Sequence, residues 1–260
     1  MNPRLKWIRS RINRAESLQS ETNASVDAIL REMHQEIHES REGYLRTWTF
    51  TGKSGLAPPE FSVKVGEIVH NLRSSLDHIV WELVLANGRK PTFANRYPIT
   101  GNAKRFDEIE SRALQGVASG AKRVIREFQP WWPTESGFEL WSLNRLSNVD
   151  KHRHLHIAAV VPTGIDNHEL PITADKSARI EGRIHIGPLE RDKEVGWFRN
   201  LPEEYDPRIR LNLSFWGREG QPPQDADVVS WYAGQPVAKV LSRCLSDVRD
   251  VECALIPFLY

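Results

Sequence analysis

Cysteine is scarce in this chain: only Cys244 and Cys253 occur in 260 residues. They lie within one helical pattern, about 13 Å apart along the axis, too far for a disulfide while the helix persists. A disulfide-stapled scaffold is therefore excluded. With no CxxC pair and no His/Cys finger spacing, the expected setting is reducing and cytoplasmic. Long apolar runs are also missing; none approaches the ~18–20 residues of a membrane span. The opening stretch MNPRLKWIRSRINRAE lacks the apolar core of a signal peptide and is expected to be a solvated helix start. Charge of one sign is absent too. Lys+Arg 35 against Asp+Glu 34 leaves +1, which excludes coating DNA or a membrane by bulk charge. There is no Gly-rich phosphate loop, nucleophile elbow or HExxH, which removes the common NTPase, α/β-hydrolase and zincin chemistries. No cofactor and no metal is implied by a motif.

What is present is an ordinary globular composition, 40% hydrophobic and 27% charged, with nine Trp and nine His. Charge is unevenly spread: residues 1–15 carry +5, 16–59 carry −3, 60–160 carry +3 and 161–260 carry −4. The mildly basic middle leaves room for a local phosphate site. The acidic balance at the end argues against a sheet that grips nucleic acid.

Apolar periodicity predicts a long helix over 13–43, on Val26, Ile29, Leu30, Met33 and Ile37. Residues 44–59 read as an extended loop broken at Gly55 and Pro58-Pro59. The clearest helix is 60–87, with Val65, Ile68, Val69, Leu72, Leu76, Ile79, Val80 and Leu83 on one face and Gly88 as terminator. RYPIT at 96–100 is extended, and short helices are expected over 104–112 and 119–128. A further helix covers 136–156. After 157 the runs IAAVVP, RIEGRIHI, VGWFRN, RIRLNLSFWG and DVVSWYAG predict an antiparallel sheet of four or five strands, and 235–256 returns to helix. The expected fold class is α+β in a single domain, 1–260. A helical bundle of 13–156 plus 235–260 would carry a β-rich insertion of 157–234 before the last helix.

The polar face of helix 60–87 departs from filler. With His70 at 0° on the wheel, Asp77 falls at about 340°, Arg73 at about 300°, Ser74 at about 40°, Trp81 at about 20° and His78 at about 80°. A face meeting only water favours Lys and Glu; His70, Asn71, Arg73, Ser74, Asp77, His78 and Trp81 are hydrogen-bonding and stacking types. Asp77 can equally be a routine i,i+4 partner of Arg73. A second cluster holds Asn144, Asn148, Asp150, Lys151, His152, Arg153, His154 and His156. Asp150 and His154 could orient an imidazole, and His152 and His156 could ligate a metal. The bland alternative is an ion pair of Asp150 and Arg153 that ties helices together. On the predicted sheet, Arg179, Arg183 and His185 oppose Ile180, Ile184 and Ile186, and Arg210 and Trp216 oppose Leu211 and Phe215. These read as solvent-facing strand residues before they read as a base-stacking surface. Trp131, Trp132 and Trp141 read as core or staple residues.

The stretch GEIVHNLRSSLDHIVWEL (66–83), the extended RYPI and LWSLNRLSNVDKHRHL (140–155) resemble a recurring pattern of uncharacterised bacterial and phage proteins. Arg73-Ser-Ser-Leu-Asp-His78 also resembles the Arg-x4-His pattern of the HEPN superfamily, with Ser74 as the polar residue after the arginine. That resemblance implies a HEPN-like helical bundle and a metal-independent ribonuclease or toxin, as in phage defence. It implies RNA and a second copy of the chain as partners, because such sites are commonly built by two protomers. In that scheme Arg73 holds the phosphate and His78 acts as base or acid. His70, Asn71, Ser74, Asp77, Asn148, Asp150, His152 and Arg153 form the supporting polar network. One geometric obstacle is visible at once: in a continuous helix Arg73 and His78 differ by about 140° and about 7.5 Å of rise. Two other functions fit the residues: a non-catalytic HEPN-like binding or scaffold protein with a buried polar network, and a metal site drawn from His70, Asp77, His78, Asp150, His152 and His156.

Overall fold

The computed structural model describes residues 3–133, 137–152, 157–165, 180–185, 187–201, 208–216 and 234–260. Arg153, His154, His156 and Arg179, and nearly all of the strand expected over 227–234, lie outside the described residues. The architecture is α+β, with six α-helices, one short 3-10 helix and two antiparallel sheets among the described residues. The chain divides into two compact units, one of residues 1–22, 63–156 and 238–260, the other of 23–62 and 157–237.

The first unit is helical, and its first two helices extend into the second unit at residues 23–35 and 59–62. Helix α1 spans Pro3–Gln35, so it begins earlier and ends sooner than the predicted 13–43. Its stripe starts at Leu5, and Leu5, Ile8, Ile12, Ala15 and Leu18 are all buried at three- and four-residue steps. The basic run Arg4, Lys6, Arg9, Arg11, Arg14 masked that stripe, because it interleaves with it. Helix α2, Pro59–Ala86, follows the predicted boundaries closely. Phe61, Val65, Ile68, Val69, Leu72, Leu76, Ile79, Val80 and Leu83 are buried, each worth about 1.5–3 kcal/mol of apolar burial. Pro59 occupies the first turn, where its missing N–H costs nothing, and Gly88 ends the helix at φ +67°. Helix α3 spans Ala103–Ala113, α4 Ser119–Glu127, α5 Phe138–His152 and α6 Val237–Leu255. Arg4 meets Glu82 at 3.4 Å and Arg11 meets Ser74 at 3.1 Å, which sets α1 antiparallel to α2. Arg9 to Glu252 at 2.6 Å and Gln19 to Ser242 at 2.5 Å set α1 antiparallel to α6.

The second unit holds the sheets. Strands β1 (Ile37–Glu42) and β2 (Leu45–Phe50) form a hairpin whose two-residue turn is opened by Gly43 at φ +58°. They continue into β5 (Lys193–Arg199) and β4 (Glu181–Ile184) in the order β1-β2-β5-β4. A separate pair joins β3 (Ile157–Ile165) to β6 (Ile209–Trp216). Two expectations are corrected here. Residues 37–50 are a hairpin rather than the end of a helix and a loop, and the strands do not form one sheet confined to the stretch after 157. The physical reason is cross-strand pairing. In β2, Arg46, Trp48 and Phe50 are buried while Leu45, Thr47 and Thr49 are half-buried, a period-2 pattern too short to stand out alone. It is stabilised by β5, where Phe198 meets Trp48 edge-on at 5.8 Å.

Candidate functional site

The polar face of α2 splits into two sectors with different neighbours. Arg73 and Asp77 turn toward the extended segment at 96–100. Arg73 Nη1 donates to Asp77 Oδ1 at 2.6 Å, and Nη2 donates to the Tyr97 carbonyl at 2.9 Å. Asp77 Oδ1 also accepts the Tyr97 N–H at 2.8 Å. One ion pair thus takes both backbone groups of a residue that has no strand or helix to pair with. The rest of the segment is held the same way. Gln129, fully buried, donates to the Pro98 carbonyl at 2.8 Å and accepts the Thr100 N–H at 3.1 Å. The Trp131 indole donates to Thr100 Oγ1 at 2.9 Å, and Asn95 ties the start of the segment to the carbonyls of Ala113 and Gln115. Side chains substitute for a sheet ladder at Tyr97, Pro98 and Thr100, while the Arg96 N–H donates to the Ala113 carbonyl at 3.2 Å.

Ser74 and His78 form the other sector and face α1. Arg11 donates to Ser74 Oγ, and its positive charge acts on the imidazole one turn further along. Burial holds His78 below its ordinary value; Arg11 adds in the same direction, while Asp77 and Glu82 oppose. His78 is therefore neutral at pH 7. The cation beside His78 is Arg11, and Arg73 belongs to a different sector, as the helical offset demands. Trp7 on α1 and Trp81 on α2 remain exposed, at 67% and 41%. His70 is exposed, and Asn71 bonds back to the Glu67 carbonyl at 2.8 Å, so neither joins the clamp. In the second cluster, Asn144 is half-buried and Asn148 exposed on α5. Asp150 and His152 fall in the last turn of that helix with side chains outside the described set. Among the described residues no group of three or more His, Cys, Asp or Glu is placed to hold a metal. No described helix is long and apolar enough to cross a membrane. Arg183 and His185 near β4 are exposed, as expected of solvent-facing strand residues.

The predicted set omitted a second site. A cleft of about 610 Å³ opens between the loop at Trp132, the start of α5 and one face of α6. Asp247 accepts the Glu139 N–H at 2.9 Å and thereby caps α5 from another helix. Arg243 pairs with Glu139 at 3.2 Å, and the buried Cys244 thiol donates to the Glu139 carbonyl at 3.6 Å. Burial pushes the Asp247 carboxyl up to about 6; Glu139 and Asp250 add to the rise, and the N–H groups of Glu139 and Leu140 oppose it. Its ionisation therefore costs stability as pH rises from the usual carboxylate range through about 6, and the loss is complete above that. Asp247→Asn retains an acceptor for the cap and removes the charge. The variant is expected to melt above the wild type at about pH 8, with the gap closing by about pH 4; calorimetric melts across that range check it. No local signal marked this site, because Asp247 and Glu139 are 108 positions apart.

No family model, curated protein or solved structure matches the chain.

Proposed function

We propose that this chain is a HEPN-like binding protein in which Arg73 and Asp77 serve the fold rather than a reaction. The observation that carries this reading is the clamp on Tyr97. A phosphate-holding arginine needs outward N–H groups, and Arg73 is only 12% exposed, with one N–H of each Nη given to Asp77 and to a backbone carbonyl. The binding face in this reading is the exposed surface of α1 and α2 that carries Trp7 and Trp81. Trp7 and Trp81 offer exposed stacking planes; Arg11, bonded to Ser74, and Lys6, 6.0 Å from the Trp7 ring, supply positive charge from α1. Single-stranded RNA is the occupant this chemistry favours, since unstacked bases suit aromatic planes. Trp81→Ala and Arg11→Ala are each expected to weaken binding of a short labelled RNA, the tryptophan change by about 5- to 100-fold. Fluorescence anisotropy at two salt concentrations measures this. Unchanged affinity in both variants would sink the reading.

A second reading keeps metal-independent RNA cleavage, with a toxin or phage-defence role and a second copy completing the site. What favours it is His78, held neutral beside Arg11 and so able to take a proton at pH 7. In EDTA, the wild type would then cut single-stranded RNA, and His78→Ala would abolish cutting at unchanged melting temperature. Intact RNA after prolonged incubation counts against it.

A further inference from the structure

The cleft between α5 and α6 shares no residue with the α1–α2 face, and its lining specifies a different ligand. We propose that it binds a small organic ammonium ion, with the charged head on the Asp247 carboxylate and the aliphatic body against Trp132 and Phe138. Its volume, about 610 Å³, lies in the range of small-molecule sites.

The sign of the ligand follows from the charges that face Asp247. Glu139 from α5 and Asp250 from its own helix are acidic, and Arg243 is the lining cation. Arg243 is half-exposed and already paired with Glu139. Among the described residues no cation pairs with Asp247; its partners are backbone N–H groups. The Cys244 thiol is buried and held neutral, so it adds no charge. A half-buried carboxylate without a cation is a costly arrangement, and a ligand ammonium would offset it. An anion would meet an acidic excess. The Phe138 ring, 46% exposed, and the Trp132 indole provide faces for a cation or its methylenes.

One unsatisfied polar group feels the charge of Asp247. The Tyr97 hydroxyl is fully buried and has no hydrogen-bond partner among the described residues. Burial disfavours its ionisation most; Arg73 opposes that, and the charge of Asp247 adds to it. A carboxylate bonded only by backbone N–H groups and a hydroxyl with no partner are what a binding site retains and a packed core removes.

The test uses the whole protein and calorimetric titration with cadaverine, 1,5-pentanediol and glutarate at about pH 7.5. Cadaverine is expected to bind saturably, with the diol and the dianion at least tenfold weaker. Affinity should fall about tenfold per pH unit below about pH 6, as Asp247 takes up its proton. Asp247→Asn should lose at least tenfold in affinity while melting no lower than the wild type, which separates ligand recognition from helix capping. The proposal is overturned if cadaverine gives no saturation with Kd below about 1 mM. Equal binding of the diol, or wild-type affinity in Asp247→Asn, overturns it as well.

Discussion

Arg73→Ala is expected to lower the stability of the folded chain by about 2–4 kcal/mol, because the change strands two partners at once. Asp77 loses its counter-charge and the Tyr97 carbonyl loses its donor, at a residue whose ring is fully buried. For a chain of this size that is a fall in melting temperature of about 5–15 °C. Arg73→Lys should recover part of the loss, since an ammonium can reach the carboxylate or the carbonyl but does not span both as a planar fork does. His78→Ala should cost far less, because the clamp does not include it. Urea titrations of the three variants decide the matter. If Arg73→Ala unfolds at the wild-type midpoint, the clamp is not holding the segment, and Arg73 returns as a candidate for chemistry.

Gly137→Ala carries the other large effect. Gly137 sits at φ +87°, where a side chain is strained, and a Cβ there would collide with the Phe128 carbonyl. Neither neighbour can yield cheaply, because the obstacle is backbone and the Gly137 carbonyl itself accepts the Leu140 N–H in the first turn of α5. Relief requires moving the start of α5, which carries Glu139 and its cap on Asp247. The expected loss is about 3 kcal/mol or more, seen as a melting temperature lower by about 6–12 °C. Cadaverine binding should weaken in the same variant, since the cleft loses one wall. A variant that melts within about 1 °C of the wild type would contradict the geometry.

How much of this was legible in the sequence depended on the range of the interactions. Helix α2 could be read to within a residue at either end, because its stripe, its opening proline and its closing glycine are all local. The β1–β2 hairpin could not, because LRTWTF alternates for only three cycles and owes its conformation to β5, far along the chain. The Arg73–Asp77 pair was legible as an i,i+4 couple. Its purpose was not, since what it holds is the backbone of Tyr97, and backbone groups leave no mark on a pattern of side chains. The Arg-x4-His spacing suggested two residues acting together. The same spacing, traced on a helix, sends them to different neighbours: Arg73 to Tyr97, and His78 toward Arg11. Arg11 was hidden in a basic run that reads as a solvated helix start. The cleft was the least legible, since a capping carboxylate and the helix it caps stand 108 positions apart in the chain.

The pairing of α1 with α6 bears on how the chain is made. Arg9 and Glu252 meet across 243 positions, and Gln19 and Ser242 across 223. A ribosome adding about 5–20 residues per second exposes α1 for some tens of seconds before its partner emerges. During that interval the Leu5, Ile8, Ile12 and Leu18 stripe has no α6 to cover it. The helical unit cannot close from the first residues onward, as a chain of local hairpins would; its closure waits for synthesis to reach α6. The interleaved arginines of α1 then gain a role apart from any ligand: they keep the nascent helix soluble, and like charges on neighbouring nascent chains hold those stripes apart until α6 arrives.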